Sequence, residues 1–257
     1  DRSSDTSAAT RFWASRGVSA SCSYRSTSCR RISSWAAWSS VLRNSRKPAT
    51  VTPISPVYTS HEVRYQLEDS GARAIVCQDI LYEKVHKSGA ALDLVVVTNV
   101  NEYLPALKRF FGKKTAVPSR ENLHWLQDLL KKYPAKPPPV TIDPKTDLAA
   151  LPYTGGTTGN PKGVMLTHYN LVAAQTMGQA AFSIFEQGKE VILAFLPFFH
   201  IYGQVVIMLQ GLGQGNLLVL FTSPDTEAIL DAMERYRATV FYGVPTLYEY
   251  LKDHKDT

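Results

Sequence analysis

The sequence predicts an α/β fold in which parallel strands alternate with helices. From residue 49 onward, short apolar segments of strand length alternate with amphipathic segments of helix length. One strand and one helix together take roughly twenty residues, which is the spacing of βαβ crossovers. The chain has 257 residues, of which 44% are hydrophobic and 19% charged, and this is enough for a sizeable core in one large domain or two smaller ones.

Caps and apolar runs define the elements of the first half. Ser60 is a suitable N-cap, and Gly71 is well placed to end the helix that begins there. Two apolar runs of strand length then flank a second amphipathic segment. The predicted order is a helix over 60–67, a strand over 72–77, a helix over 80–87, a strand over 94–98, a loop over 112–122 and a helix over 125–133.

A stiff, proline-rich spacer over 136–147 separates two predicted α/β lobes, 49–135 and 148–257. In the second lobe, Thr167 is a suitable N-cap and Pro245 a suitable first helical residue. The predicted order there is a strand over 148–153, a glycine-rich loop, a strand over 164–166, a helix over 168–182, a strand over 190–196, a helix over 201–212, a strand over 217–221, a helix over 225–236, a strand over 238–242 and a final helix.

Residues 1–48 form an atypical segment rich in Ser, Arg and Trp. Residues 1–50 contain 14 Ser, eight Arg and three of the four Trp, and their net charge is +7 against +6 for the whole chain. The remainder is electrically neutral, and the segment has no sustained helical or strand period. A basic RNA-binding arm, a targeting peptide and a stretch read out of frame are the alternatives. We favour the last, because the composition changes abruptly near Pro48.

The cysteines and histidines predict no zinc site and no disulfide. Cys22, Cys29 and Cys77 form no Cys-x-x-Cys pair, and the six His are scattered. An odd number of unspaced cysteines suits a reducing compartment, so we expect a cytoplasmic protein. The apolar runs are too short to span a membrane.

The strongest chemical signal is a loop rich in glycine, threonine and lysine. Glycines let backbone N–H groups converge, threonines add hydroxyl donors and lysine adds a positive charge, which is the chemistry needed to hold a polyphosphate. Its spacing differs from that of a Walker A loop. The alternative is a glycine hairpin without a ligand, which does not require several Thr and a Lys together. The loop is Tyr153-Thr154-Gly155-Gly156-Thr157-Thr158-Gly159-Asn160-Pro161-Lys162-Gly163.

This loop resembles the signature Tyr-Thr-Ser-Gly-Thr-Thr-Gly-x-Pro-Lys-Gly of the adenylate-forming enzymes, such as acyl-CoA synthetases, coumarate–CoA ligases, firefly luciferase and peptide-synthetase adenylation domains. Gly155 stands where the family commonly has Ser. With residues 51–76, three more motifs extend the resemblance from about residue 49 to the end. They are Val164-Met165-Leu166-Thr167-His168-Tyr169-Asn170, Leu196-Pro197-Phe198-Phe199-His200-Ile201-Tyr202-Gly203 and Tyr242-Gly243-Val244-Pro245-Thr246.

The resemblance implies the N-terminal domain of an adenylate-forming enzyme, incomplete because the family's later motifs would lie beyond Thr257. It also implies an AMP-forming acid–CoA ligase. In that reaction ATP and a carboxylic acid give acyl-AMP and pyrophosphate, and coenzyme A then takes the acyl group. We expect a fatty or other hydrophobic acid as the substrate and Mg²⁺ as the metal ion. We expect this chain alone to be a partial, inactive piece.

The resemblance also implies two groups of site residues. His200 and Tyr242 each follow a predicted strand, and ligands of parallel sheets lie beyond the carboxyl ends of strands. A packed histidine and core aromatics are the alternatives there. The implied ATP site comprises Thr154, Gly155, Gly156, Thr157, Thr158, Gly159 and Lys162, with Thr158 beside the metal and Lys162 catalytic. The implied acyl pocket comprises His200, also catalytic, and Tyr202, Gly203, Tyr242 and Gly243.

The predicted partners are ATP and a small carboxylic acid, with no nucleic acid and no membrane span. A peripheral membrane contact and the oligomeric state stay open. Two rival functions belong to other classes: a non-catalytic nucleotide- or acyl-binding remnant, and an RNA-binding protein that uses the basic arm. Formation of acyl-AMP by the full-length gene product would exclude the first, and binding of RNA by residues 1–48 alone would support the second.

Overall fold

The computed structural model describes residues 49–103, 115–133, 139–155, 159–221 and 225–252. In these ranges helices alternate with strands, and the main strand pairs are parallel, which confirms the predicted α/β class. Residues 1–48 and the first part of the predicted spacer, 136–138, lie outside the described residues. The predicted nature of both segments, and the division into two lobes, stay predictions.

The first half forms a three-stranded parallel sheet with helices on its faces. Its strands lie in the order β1-β2-β3, and both pairs are parallel. A short 3₁₀ helix, Val100–Tyr103, follows β2. The elements are α1 (Ser60–Asp69), β1 (Ala74–Gln78), α2 (Asp79–Ser88), β2 (Leu94–Thr98), β3 (Leu123–Trp125) and α3 (Leu126–Lys132).

Strand β2 is buried on both faces, as expected for the central strand of a parallel sheet. Its alternate residues enter two different apolar clusters, one against α2 and the other against α3. The members are Val95 and Val97 with Tyr82 and Val85 of α2, and Leu94 and Val96 with Leu129 of α3.

The N-cap of helix α1 lies one residue earlier than the sequence predicted. Thr59, not Ser60, is the N-cap, because its hydroxyl accepts the N–H of Glu62 at 3.3 Å. The Glu62 carboxylate in turn accepts the N–H of Thr59 at 2.7 Å and completes a capping box. The hydroxyls of Thr59 and Ser60 are both suitable for an N-cap. Thr59 takes the role because Glu62, three residues after it, completes the capping box. Gly71 follows the helix with a φ of 65°, as its predicted role in ending the helix requires.

The second half combines one parallel strand pair with two antiparallel pairs. Strands β8 and β9 are parallel, whereas β4 pairs with β7 and β5 with β6 in antiparallel fashion. The elements are β4 (Leu148–Ala150), β5 (Tyr153–Thr154), β6 (Lys162–Gly163), β7 (Leu166–Thr167), α4 (His168–Ala181), β8 (Val191–Ala194), a π-helix (Tyr202–Leu209), α5 (Gln210–Gly213), β9 (Leu217–Leu220), α6 (Thr226–Tyr236) and α7 (Pro245–Lys252).

Strand β8 is buried on both faces, as β2 is. Leu193 and Phe195 pack against α6 and α7, where Ile229 is fully buried. Ile192 and Ala194 pack on the opposite face, against the π-helix. Each face of the strand therefore carries its own layer of helix.

Three predicted strands are wrong in extent. The segment 238–242 makes only one bridge, between Val240 and Ile192, because the chain turns away at Gly243 to begin α7. The predicted strand over 148–153 divides at Pro152, which has no N–H to donate to a ladder. Of the predicted strand over 164–166, only Leu166 lies in a strand, as the first residue of β7, and the two residues before it connect β6 to β7. Strand β3 was not predicted, since three residues are too few to show a period.

The predicted helix over 201–212 forms, but most of it has π geometry. Residues Tyr202–Leu209 form a π-helix, which has more residues per turn than an α-helix. Accordingly, the Gln210 N–H donates to the Val205 carbonyl, five residues back. Helical segments with π geometry are rare in proteins, and those that are known often lie at functional sites. The apolar composition of the segment predicts a buried helix but does not distinguish its winding.

We expect Thr167→Ala to destabilise the chain by about 1 kcal/mol, because it removes the N-cap of α4. The Thr167 hydroxyl accepts the Asn170 N–H at 3.2 Å, and the Asn170 side chain accepts the Thr167 N–H at 3.0 Å. Urea unfolding monitored by circular dichroism measures the change. Thr167→Ser keeps the hydroxyl and is the matched control. Equal stabilities of the Ala and Ser variants would contradict the cap.

Candidate functional site

The ends of the glycine-rich loop form a short hairpin. Strands β5 and β6 pair so that Thr154 lies opposite Lys162 and Tyr153 opposite Gly163. Directly opposite residues of an antiparallel pair share a face, so the Thr154 hydroxyl and the Lys162 ammonium project side by side. Both residues are exposed. On the other face the Tyr153 ring covers Gly163, where a Cβ would lie 3.1 Å from its carbons. The hairpin therefore presents a hydroxyl and a positive charge together to solvent.

Glycine at 155 and 159 is not required by the packing of this chain. Neither residue has a positive φ, and a Cβ on either would meet no atom of the described part of the chain within 4 Å. The open space beside these backbones gives a ligand room to approach their N–H groups closely. Gly156, Thr157 and Thr158 lie outside the described residues, so their places in the ATP site and the metal-binding role of Thr158 stay predictions.

A cavity of about 460 Å³ lies between the π-helix and the segment that precedes α7. It brings together three of the predicted acyl-pocket residues, Tyr202, Tyr242 and Gly243. The full lining is Phe182, Phe185, Tyr202, Val206, Thr239, Val240, Phe241, Tyr242, Gly243 and Tyr248. The volume lies in the range of small-molecule sites, and the lining is mainly aromatic and aliphatic.

Aromatic rings form the walls of this cavity in edge-to-face contact. The Tyr202 and Tyr242 ring centroids are 6.4 Å apart, and those of Phe182 and Tyr242 are 6.5 Å apart. Burial raises the pKa of Tyr242 and of Tyr202 above that of a free phenol. Both hydroxyls are therefore protonated and uncharged at neutral pH. The cavity offers an apolar surface with a few neutral polar groups and no fixed charge.

His200 does not line the cavity. Its ring is exposed, and Nδ1 accepts the N–H of Tyr202 at 3.2 Å, so the side chain caps the first turn of the helix. The neutral imidazole then carries its proton on Nε2. Gly203 is buried below the preceding turn, and a Cβ there would lie 2.3 Å from the Pro197 carbonyl oxygen. The structure thus places His200 and Gly203 next to the cavity in sequence but outside its wall.

Seven residues of the lining were not predicted from the sequence as site residues. They come from separate parts of the chain, and as single aromatic or β-branched residues they are indistinguishable from core positions. The only local signal is the pair of phenylalanines three residues apart after α4, whose rings stack with centroids 5.7 Å apart. These seven residues are Phe182, Phe185, Val206, Thr239, Val240, Phe241 and Tyr248.

The described residues show neither a metal-binding cluster nor a membrane-spanning helix. Across the described ranges, no cluster of three or more His, Cys, Asp or Glu side chains could hold a metal ion. No helix in the same part of the chain is long and apolar enough to cross a membrane.

Cys77 is a buried free thiol in β1. Burial raises its pKa to about 11, so the thiol is protonated and unreactive at neutral pH.

The hairpin and the aromatic cavity lie on an α/β fold with parallel strand pairs, which is the fold class of the adenylate-forming enzymes. The sequence model of the family described as AMP-binding enzyme matches residues 45–257. The chain belongs to this family.

Known relatives carry several acid–CoA ligase names. The chain is 34% identical over 216 residues to a long-chain-fatty-acid–CoA ligase of Bacillus subtilis, covering 80% of this chain and 39% of that protein. It is 35% identical over 214 residues to 4-coumarate–CoA ligase 1 of Oryza sativa, covering 79% and 34%. The crystal structure of ATP-bound MatB from Rhodopseudomonas palustris superposes with a TM-score of 0.60 at 26% identity, covering 80% and 36%. The chain thus spans less than half the length of these relatives.

We expect Gly203→Ala to destabilise the chain by about 1–3 kcal/mol, the usual cost of overpacking a close contact. The added methyl group would overlap the Pro197 carbonyl oxygen. The overlap would push the π-helix away from the preceding turn, which contains His200. Urea unfolding measures the loss. Gly155→Ala is the matched control, since its methyl group would meet no neighbouring atom. Unfolding of both variants at the same urea concentration would contradict the close contact at Gly203.

Proposed function

We propose that this chain is the ATP- and acyl-binding part of an AMP-forming acid–CoA ligase. The observation that carries the proposal is the register of the hairpin, which sets Thr154 beside Lys162 next to open space at Gly155 and Gly159. A hydroxyl, an ammonium group and accessible backbone N–H groups are the donors that a triphosphate requires. Family membership and the ATP-bound relative support the same assignment.

The proposed reaction has two group transfers. A carboxylate oxygen of the acid attacks the α-phosphorus of ATP, the bond to the bridging oxygen breaks, and pyrophosphate leaves. The thiol of coenzyme A then attacks the acyl carbonyl, loses its proton and displaces AMP. In the first step Lys162 and Thr154 hold the terminal phosphates, and the lysine neutralises the negative charge that grows on the leaving pyrophosphate.

Magnesium fits this site as an ion that arrives with the nucleotide. Mg²⁺ is usually bound through substrate phosphates and only one or two protein oxygens. Thr158, in the glycine-rich loop, is the proposed protein oxygen. When bound, the ion would supply further neutralisation of phosphate charge.

The cavity supports a hydrophobic acyl group, either fatty or aromatic. Its aromatic walls carry no charge, so an apolar chain or ring gains free energy on entering it, whereas a second carboxylate would lose its hydration without a partner. Names among the relatives include both kinds of acid. Tyr202, Tyr242 and Gly243 would contact the acyl group. Cytoplasmic location is part of the same proposal.

His200 and Gly203 have supporting roles in this proposal. Nδ1 of His200 is occupied by the Tyr202 N–H, so only Nε2–H is available to a ligand. A donor at the start of the π-helix can orient the carboxylate of the acid without taking a proton from it. Gly203 permits the close approach of that helix to the turn at Pro197.

We expect Lys162→Ala, in the enzyme that contains this chain, to slow adenylation by on the order of 2–4 kcal/mol in activation free energy. The reason is that the charge contact tightens as pyrophosphate leaves. Pyrophosphate release with ATP, Mg²⁺ and a panel of fatty and aromatic acids measures the rate. Lys131→Ala, an exposed lysine on α3, is the matched control. An unchanged rate in Lys162→Ala would refute the assignment, and a wild-type protein that binds ATP without releasing pyrophosphate would favour the non-catalytic remnant.

We expect Gly159→Ala to weaken binding of Mg-ATP roughly tenfold while leaving the unfolding free energy unchanged. The methyl group would occupy space that no atom of the described residues fills and that the nucleotide would need. Calorimetric titration and urea unfolding of the same samples give both quantities. Full retention of affinity for Mg-ATP would place the phosphates elsewhere.

A further inference from the structure

Helix α1 is hydrogen-bonded to both sides of the hairpin. The Tyr65 hydroxyl donates to the Pro161 carbonyl at 3.0 Å, and the Tyr153 hydroxyl donates to the Asp69 carboxylate at 2.6 Å. Tyr65 and Asp69 are four residues apart and therefore lie on one face of the helix. We call these two bonds the α1 tethers.

Each tether ends one residue before a proposed phosphate-binding side chain. Tyr153 precedes Thr154 in β5, and Pro161 precedes Lys162 at the start of β6. Side chains alternate between the two faces of a strand, so Tyr153 faces α1 while Thr154 and its partner Lys162 face away from it. The tethers therefore hold the hairpin from behind and leave its polar face open.

Helix α1 is itself fixed to the base of the hairpin. Gln66 is only 1% exposed, and its Nε2 donates to the Thr52 hydroxyl at 2.8 Å and to the Pro53 carbonyl at 3.0 Å. The Thr52 hydroxyl donates in turn to the Leu151 carbonyl at 2.9 Å, two residues before β5. The helix and the hairpin thus share one continuous hydrogen-bond network, and the tethers start from an anchored element.

The chemistry of the Tyr153 tether makes it persistent. A hydrogen bond to a carboxylate is stronger than one between neutral groups. Burial of the phenol, together with the neighbouring Asp69 carboxylate, raises the pKa of Tyr153 above its usual value. The hydroxyl therefore keeps its proton, and the tether its donor, at and well above neutral pH.

We propose that Tyr65 and Asp69 are positioning residues that hold Thr154 and Lys162 at the spacing a polyphosphate requires. This role rests on the proposed function of the hairpin as the phosphate site. A hairpin that already has its binding geometry loses less conformational freedom when the ligand arrives, so more of the contact energy remains as affinity. Neither Tyr65 nor Asp69 needs to touch the ligand.

The test removes single hydroxyl groups from the enzyme that contains this chain. Tyr65→Phe and Tyr153→Phe each delete one tether, and Tyr250→Phe deletes an exposed hydroxyl on α7 as the matched control. Amide hydrogen exchange without ligand reports the order of the hairpin, and calorimetry with inorganic tripolyphosphate and with Mg-ATP reports affinity. We expect each tether variant to exchange several-fold faster at Thr154 and Lys162 and to bind about five- to thirtyfold more weakly, the equivalent of one hydrogen bond.

A double-mutant cycle separates positioning from a general loss of stability. If Tyr153 acts through Lys162, Tyr153→Phe should weaken tripolyphosphate binding much less in a Lys162→Ala background than in the wild type. Additive effects, unchanged exchange rates, or faster exchange with unchanged affinity would each overturn the positioning role. A wild-type chain that binds neither probe would instead refute the phosphate site itself, whatever the exchange data show about the tethers.

Discussion

The two-sided burial of β8 is the constraint on which the second half of the structure depends. Leu193 is completely buried among α6 and α7, while Ile192 and Ala194 are buried on the face covered by the π-helix. A strand without an exposed face needs a helix layer on each side, so it determines where those helices lie. The segments that follow β8 and Val240 contain Tyr202 and Tyr242, and both of these residues line the same cavity.

The first half repeats this arrangement and adds a link to the candidate phosphate site. Strand β2 is buried between α2 and α3 in the way that β8 is buried between its own helices. Helix α1 uses a different set of contacts: Tyr65, Gln66 and Asp69 make polar bonds to the hairpin and to the segment at its base. The candidate site therefore combines a hairpin of the second half with a support from the first.

Much of the fold could be predicted because its signals are local. The strand over 94–98 is a continuous apolar run between turn residues, and the structure has it with the same bounds. The cap at Thr167 and the first residue of α7 at Pro245 follow from the chemistry of single residues and were confirmed. Strand β3, the lone bridge at Val240 and the π-winding were not predictable, because each depends on partners or hydrogen bonds that a short window of sequence does not contain.

The sequence by itself determined the α/β class, the family and the composition of the glycine-threonine-lysine loop, since periodicity and motif chemistry are properties of contiguous residues. Only the tertiary structure decided that His200 caps a helix beside the cavity that Tyr202 and Tyr242 line. The tertiary structure also determines that helix α1 supports the loop, because each of the two α1 tethers joins residues that are far apart in the sequence, by 84 and by 96 positions. Contacts at such separations form only when packing brings distant elements together, and no local pattern in the chain encodes them.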